Sequence, residues 1–166
     1  MKRFVWVLCV AAVLRLLGVL PFSGNDVADL VPVEALTVDW DGQQVILDGG
    51  ECQGYGEKWE DALEDLRQGA KGTVFLGTIE QVVLSKSAVQ LLPDVVRSAD
   101  LRPAAVICVS LDVLPDPEEA AAYLSAHDAG VTVQKVQAAM LRGDGIALPV
   151  LRHTEGGLRL FGSEDR

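Results

Sequence analysis

The chain begins with a long apolar run. Residues 4–20 are almost all apolar, the basic pair Lys2 and Arg3 precedes them, and a polar, acidic stretch follows from Ser23. This order is typical of a secretory signal or of an N-terminal membrane anchor. Because the positive end of such a segment tends to stay in the cytoplasm, we expect the chain from about residue 25 onward to lie outside it.

Whether this leader is cleaved depends on its length and on the residues at its exit. The apolar run of about 17 residues is at the short limit for a spanning helix, and Arg15 lies near enough to the outer end for its side chain to reach the interface. Cleavage after Gly24 would place bulky Phe22 where signal peptidase favours a small residue. Residues 1–24 are therefore predicted to be an uncleaved anchor, with a cleaved, secreted domain as the alternative.

A hairpin is predicted at the start of the exported part. Residues 33–40 are rich in strand formers and alternate in their second half, and residues 43–48 resume the same pattern. The dipeptide Asp41-Gly42 between them is typical of a hairpin turn. Gly49-Gly50 ends the second strand, and residues 51–56 are expected to be a short linking stretch.

Residues 58–69 change to a helical period. Trp59, Leu63 and Leu66 recur at intervals of four and three residues, with Ala62 beside them. This spacing predicts the buried face of one helix. Glycines at positions 69 and 72 mark its end.

The rest of the chain alternates between strands and helices. A strand is predicted at 79–84, followed by a helix at 86–98 that Ser85 caps and in which Pro93 starts a new turn. A strand at 104–110, near the centre of the sheet, precedes a helix that begins at 115–119 and runs to about His127. A helix at 133–142, which Thr132 caps, and a hairpin of 146–152 with 158–161 complete the chain. This alternation predicts an α/β (α+β) fold, with a mixed β-sheet, helices packed on it, hairpins at both ends and an N-terminal transmembrane or signal helix. Residues 25–166 are expected to form a single extracytoplasmic domain.

Charge narrows the choice of partners. The chain of 166 residues has a formal net charge of −10, but three of its 14 basic residues and none of its 24 acidic residues lie in the leader. Residues 25–166 therefore carry a net charge of −13. Nucleic acid and an anionic bilayer surface would both repel such a domain. A protein with a basic or neutral surface remains as a partner. The simpler interpretation is that the charge only keeps the domain soluble.

The cysteines leave their redox state open. Cys52 and Cys108 could form a disulfide in an oxidising compartment, while the apolar run around Cys108 favours a buried free thiol. Neither the three cysteines nor the two histidines have the spacing of a metal site. No metal and no cofactor are predicted.

Two short patterns resemble chemical motifs but lack required parts. His127-Asp128 lies near Ser125, but neighbouring residues on a helix point in different directions, so no catalytic triad is predicted. His153 is interpreted as a polar residue of the last hairpin. Gly54-Tyr55-Gly56 lacks the third glycine of a dinucleotide motif and the Gly-Lys-Ser/Thr of a P-loop, so we interpret it as a backbone turn. No catalytic residue is assigned, and the protein is expected not to be an enzyme.

The helix predicted at 58–69 also carries an acidic outer face. Ligands on one straight helix cannot encircle a metal ion, so this face is either a solvated surface or a docking surface for a basic partner. Trp40, beside the first hairpin turn, is the aromatic residue predicted to anchor a contact. The predicted interaction surface consists of Trp40, Glu57, Glu60, Asp61 and Glu64.

The order of elements and several short motifs resemble the N-terminal domain of the Ger(x)C lipoproteins, the C subunits of spore germinant receptors. The corresponding motifs occur in order over most of residues 23–162. They are Ser23-Gly24-Asn25, Leu36-Thr37-Val38-Asp39, Gly54-Tyr55-Gly56 with Ala62-Leu63-Glu64-Asp65-Leu66, Leu76-Gly77-Thr78 with Val82-Val83-Leu84-Ser85, the segment 97–102 with the strand at 104–109, and Leu148-Pro149 with Leu158-Arg159-Leu160-Phe161-Gly162.

The chain departs from this family at three points. Asn25 stands where the family has the cysteine that accepts the lipid, so no lipidation site is predicted. Thr78 stands where the family has a histidine, and the family's further domains do not follow. We therefore expect a relative of the first domain alone.

The resemblance implies a non-enzymatic domain that is anchored in the cell membrane or the spore inner membrane and faces the extracytoplasmic side. Its expected role is protein–protein assembly in spore germination, with integral membrane germinant-receptor-like subunits as partners. The alternative is a secreted or anchored domain that binds a small ligand and has no role in germination. A pocket with convergent polar groups would favour that alternative.

Overall fold

Seven strands form one mixed sheet in the order β4-β3-β2-β6-β7-β8-β9, and β1 and β5 form a separate two-stranded pair. The computed structural model describes residues 30–162. The strands are β1 (Leu30–Pro32), β2 (Ala35–Trp40), β3 (Val45–Asp48), β4 (Gln53–Gly56), β5 (Thr73–Phe75), β6 (Gln81–Ser85), β7 (Val106–Ser110), β8 (Val150–Thr154) and β9 (Gly157–Phe161). The helices are α1 (Trp59–Gly69), α2 (Leu92–Arg97), α3 (Pro117–Ala126) and α4 (Val133–Arg142), with 3-10 helices at Leu76–Thr78 and Ser87–Leu91.

The sheet is parallel in its middle and antiparallel at its edges, which confirms the predicted mixed sheet with a hairpin at each end. Strands β2, β6, β7 and β8 pair in parallel, whereas the β2–β3, β3–β4 and β8–β9 pairs are antiparallel. The predicted Asp41-Gly42 turn closes the first hairpin. Asp41 Oδ1 accepts hydrogen bonds from the backbone N–H groups of Gln43 and Gln44, both at 2.8 Å, and Gly42 has a φ of +101°.

Alternate side chains along the strands pack on opposite faces of the sheet. Leu36 and Val82 belong to a buried cluster that also contains residues of α1, α2 and α4. Ala35 and Val83 belong to a second cluster, which contains residues of α3. We call these two sides the three-helix face and the α3 face. The described residues from Val31 onward therefore form three layers, with the sheet between the helices.

The prediction for residues 51–56 was wrong, because part of this stretch is strand β4. Gly54 and Gly56 pair with Leu47 and Val45 of β3. Both glycines are required by the close approach of α1. A Cβ on Gly54 would lie 2.2 Å from the carbonyl oxygen of Ala62, and one on Gly56 would lie 2.4 Å from the Ala62 nitrogen. Two glycines in a short stretch suggest a loop, and here they let a helix pack onto a strand.

The segment after β6 is not one continuous helix. It consists of the 3-10 helix Ser87–Leu91 and then α2, and Pro93 lies in the first turn of α2 as predicted. Ser85 Oγ accepts a hydrogen bond from the Ala88 N–H at 3.0 Å, which confirms Ser85 as the cap. Strand β7 is an interior strand, but β6 holds the middle position of the sheet.

The helices in the second half begin and end where the sequence indicates. Asp116 accepts a hydrogen bond from the Glu118 N–H at the start of α3. Thr132 Oγ1 accepts one from the Lys135 N–H at the start of α4, and Gly143, with a φ of +73°, ends that helix.

Cys52 and Cys108 are both buried free thiols, so the disulfide that the sequence left open is not formed. Cys52 packs on the three-helix face and Cys108 on the α3 face, so the sheet separates them. Burial raises the pKa of the Cys108 thiol to about 12. Burial, with the nearby charges of Asp48 and Glu51, also raises the pKa of the Cys52 thiol.

The predicted anchor at residues 1–24 lies outside the described residues, and so does Asn25, which follows it. Within residues 30–162, no helix combines the length and the apolar character needed to cross a bilayer. The described residues from Val31 to Gly162 belong to one compact unit.

Candidate functional site

The two histidines lie on the surface and make local contacts. His127 Nδ1 is 2.8 Å from the carbonyl oxygen of Tyr123, and the two rings stack with centroids 4.1 Å apart. Ser125 Oγ donates a hydrogen bond to the Ala122 carbonyl, and Asp128 accepts one from the Gly130 N–H. These three side chains therefore do not form a nucleophile–base–acid chain.

The other two candidate motifs, His153 and Gly54-Tyr55-Gly56, also make structural contacts. His153 Nε2 lies 3.6 Å from a carboxylate oxygen of Glu119, which links the last hairpin to α3. Gly54-Tyr55-Gly56 forms strand β4 and not the predicted turn. Among residues 30–162, no group of three or more His, Cys, Asp or Glu side chains is arranged to hold a metal ion.

The residues of the predicted acidic face have different environments. Glu60 and Asp61 lie exposed in the first turn of α1. Glu64 lies 3.9 Å from Arg67 and accepts a hydrogen bond from Gln68 Nε2. Their neighbour Asp65 accepts a hydrogen bond from the Tyr55 N–H at 2.9 Å, so it ties α1 to β4.

A cleft brings three of the five predicted interaction residues together. Its volume is about 380 Å³, and it contains Trp40, Glu57 and Glu60, whereas Asp61 and Glu64 do not line it. The complete lining is Trp40, Glu57, Lys58, Trp59, Glu60, Gln90, Leu91 and Asp94. We call this site the Trp40 cleft.

Three elements that are far apart in sequence build the Trp40 cleft. Trp40 ends strand β2, where its N–H donates a hydrogen bond to Asp39 Oδ1 at 2.8 Å and its ring packs against the three-helix core. Glu57 lies two residues before α1, Glu60 lies in its first turn, and Asp94 lies in the first turn of α2. Sequence reasoning missed Asp94, because nothing in its local pattern indicates that the start of α2 lines the same cleft as the start of α1.

The electrostatics of the Trp40 cleft favour a cation. Three carboxylates and one ammonium group line it, and none of the carboxylates makes an ion pair within the described part of the chain. The indole face of Trp40 adds the negative potential that attracts a guanidinium or ammonium group. Buried Trp59 lies beside it, with an indole N–H that has no hydrogen-bond partner among the described residues. The arrangement suits a basic side chain of another protein.

A second cleft lies where β2 and β6 end. Its volume is about 690 Å³, and Asp39, Ser85, Ser87 and Asp112 line it. Ser87 Oγ donates a hydrogen bond to Asp39 Oδ1 at 3.0 Å and lies 2.8 Å from Ser85 Oγ. Burial raises the pKa of Asp39, but hydrogen bonds from Ser85, Ser87 and the Trp40 N–H outweigh it and hold the pKa below its usual value. These hydrogen bonds join the ends of the two strands, and Lys86 also lines this cleft.

The segments that resemble the Ger(x)C family occupy packing positions in this fold. Gly54 and Gly56 lie beneath α1, as described above. Thr78, at the histidine position of the family, has its Oγ1 3.0 Å from the Val33 carbonyl and 2.6 Å from the Phe75 carbonyl. Thr78 thus ties the chain before β2 to the end of β5. No protein-family model, no curated protein and no solved structure matches the chain.

Proposed function

We propose that this protein is a non-enzymatic, membrane-anchored extracytoplasmic domain that assembles with other membrane proteins, in the manner of the first domain of a germinant-receptor C subunit. The leader pattern of residues 1–24 supports the anchor and the side of the membrane. The ordered Ger(x)C-like motifs support the role in spore germination. The expected partners are integral membrane germinant-receptor-like subunits.

The observation that carries the assembly role is the Trp40 cleft. Solubility alone would explain an acidic helix face, but here Glu57 and Glu60 line one cleft together with Asp94 and Trp40. A large aromatic side chain beside charged groups that lack a partner is typical of a protein–protein anchor point. An arginine or lysine of the partner would neutralise these carboxylates and stack on Trp40.

The test is affinity capture of the tagged full-length chain from detergent-solubilised host membranes, with mass spectrometry of the proteins that accompany it. An unrelated protein with the same leader controls for binding to the leader. We expect specific recovery of multi-spanning germinant-receptor-like subunits. Recovery of background proteins alone, from a membrane-bound and folded chain, would refute the receptor-subunit role.

A matched pair of variants then tests the cleft itself. Glu60→Lys reverses a charge in the first turn of α1, and Glu118→Lys reverses one in the first turn of α3, on the other face of the sheet. Both changes oppose the helix dipole to a similar extent, so their effects on stability should be comparable. We expect Glu60→Lys to lower recovery of the subunits by about tenfold and Glu118→Lys to leave it unchanged. Equal recovery with both variants would exclude the cleft as the contact.

The alternative function is the binding of a small ligand. We assign it to a different site from the Trp40 cleft: a cavity of about 1000 Å³ beside strands β7 and β8, with a mostly apolar lining.

A further inference from the structure

A third cavity among the described residues lies near the carboxyl ends of strands β6 and β7. Its volume is about 1000 Å³, and it contains residues from the end of β7, from α2, from β8 and from the end of β9. The connection that leaves β6 leads to α2 on the three-helix face, whereas the connection that leaves β7 leads to α3 on the other face. Open α/β sheets bind their ligands outside the carboxyl ends of the strands.

The walls of this cavity are apolar. Val109 and Val150 form its buried part, and Leu92, Leu148 and Phe161 are half-buried around them. A cavity of this size with mostly aliphatic and aromatic walls can enclose a small molecule and remove its apolar surface from water. We call it the β7–β8 cavity.

The ionisable residues of the β7–β8 cavity are both basic. Lys86 and Arg152 line it, and no Asp or Glu does, although the chain has 24 acidic and 14 basic residues. Neither Lys86 nor Arg152 forms an ion pair within residues 30–162. The charged groups of the cavity lining are therefore both cations, on a domain that is strongly negative elsewhere. Lys86 also lines the neighbouring cleft that contains Asp39 and Asp112.

The position of Arg152 strengthens this observation. Arg152 lies directly opposite Arg159 in the β8–β9 ladder, so two like charges share one face of the hairpin. Like charges directly opposite each other destabilise a sheet unless an anion lies near them. The Arg152 guanidinium also lies 5.8 Å from the centre of the Phe161 ring, a contact that holds it at the cavity wall.

We propose that the β7–β8 cavity binds a small amphiphilic anion, a molecule with an apolar body and one carboxylate or phosphate head group. The apolar body lies against Val109, Val150 and Leu148, and the head group lies between Lys86 and Arg152. Arginine suits this task because its planar guanidinium can donate two parallel hydrogen bonds to a carboxylate or a phosphate.

The experiment compares ligands of one chain length and different head groups. The full-length chain is reconstituted in zwitterionic nanodiscs, with empty nanodiscs as the reference for partitioning into lipid. Octanoate, octyl phosphate, octan-1-ol and octylammonium are titrated and followed by NMR of labelled valine and leucine methyl groups. We expect at least one of the two anions to bind about tenfold more tightly than the alcohol and the ammonium. The tighter anion identifies the head group.

The methyl groups also report the position of the ligand. The signals of Val109 and Val150 should shift on titration, and those of Val83 and Leu124, on the α3 face, should not. The proposal is overturned if the alcohol or the ammonium binds as tightly as both anions. It is also overturned if the anions shift signals on both faces alike, or if neither anion binds.

Variants test the two cations separately. Lys86→Met and Arg152→Met keep an apolar stem and remove the charge, and each should weaken binding of the anion about tenfold. Arg97→Met removes an exposed arginine that does not line the cavity and serves as the matched control. Unchanged affinity in both cavity variants would contradict the proposal. If a variant misfolds, the comparison of head groups on the unaltered chain still tests it. Glu60→Lys should leave the affinity for the anion unchanged, because Glu60 does not line this cavity. A negative result for anion binding and a negative result for subunit recovery can therefore be told apart.

Discussion

Gly54 lies directly against the backbone of Ala62, so close that a Cβ at position 54 would be 2.2 Å from the Ala62 carbonyl oxygen. This contact lets α1 pack on β4 with no side chain between them. It also explains why a stretch that resembles a loop in the sequence is a strand of the sheet.

Replacing this glycine should therefore destabilise the fold. We expect Gly54→Ala to lower the free energy of unfolding by about 3 kcal/mol, because the methyl group must displace the helix from the strand. Gly69→Ala is the matched control: its Cβ would meet only the Gln53 carbonyl oxygen at 3.5 Å, and alanine favours a helix. Urea denaturation of the two variants distinguishes the cases, and equal midpoints would contradict the role of the contact.

The Asp39 carboxylate makes the stability of the strand ends depend on pH. Its pKa is lower in the folded protein than in the unfolded chain, so the stabilisation is fully present above the unfolded pKa and is lost as the pH falls through the folded pKa. We expect the unaltered chain to be more stable than Asp39→Asn at neutral pH and to lose this advantage below about pH 4.

Unfolding at a series of pH values checks this prediction. Asp112→Asn controls for the loss of a carboxylate in the same cleft, because Asp112 accepts no hydrogen bond in the described part of the chain. A stability difference between Asp39→Asn and the unaltered chain that stays constant from neutral to acidic pH would argue against the hydrogen-bonded carboxylate.

The thiol of Cys108 should be inert in the folded protein. It is fully buried on the α3 face, and burial raises its pKa to about 12, so almost no thiolate is present near neutral pH. We expect iodoacetamide to label Cys108 only after unfolding, as peptide mass spectrometry would show. Oxidants should not link Cys108 to Cys52 in the folded state, because the sheet lies between them. A Cys52–Cys108 peptide from the native protein would contradict this packing.

Tyr123 joins α3 to the edge strand β9. Its hydroxyl accepts a hydrogen bond from the Leu160 N–H at 2.9 Å in a partly buried position. Tyr123→Phe removes this acceptor and should cost about 1 kcal/mol of stability. Tyr55→Phe is a natural comparison, because the Tyr55 hydroxyl donates only to exposed Gln53 and its loss should cost less. Thermal unfolding of both variants gives the answer, and a larger effect at Tyr55 would be the unexpected result.

Much of the secondary structure could be predicted because its causes are local. The Asp41-Gly42 turn, the Ser85 and Thr132 caps and the end of α4 at Gly143 each depend on residues within a few positions of one another. The period of Trp59, Leu63 and Leu66 likewise gave the buried face of α1. Alternation of strands and helices then gave the mixed sheet.

The candidate site could be predicted only in part. Trp40, Glu57 and Glu60 were expected to be contact residues from their chemistry, and the structure brings them into one cleft. Asp94, from the start of α2, lines the same cleft, whereas Asp61 and Glu64 lie outside it. No local pattern carries that information.

The amino-acid sequence alone was enough to predict the periodicity, the turns and caps, the charge of residues 25–166 and the order of most strands and helices. Three relationships became visible only in the folded chain: Gly54 and Gly56 belong to a strand, Cys52 and Cys108 lie on opposite faces of the sheet, and Lys86 and Arg152 line one cavity. The physical reason is the same in each case. These relationships depend on strand pairing and helix packing between distant segments, whose geometry is set by the whole core and not by neighbouring residues.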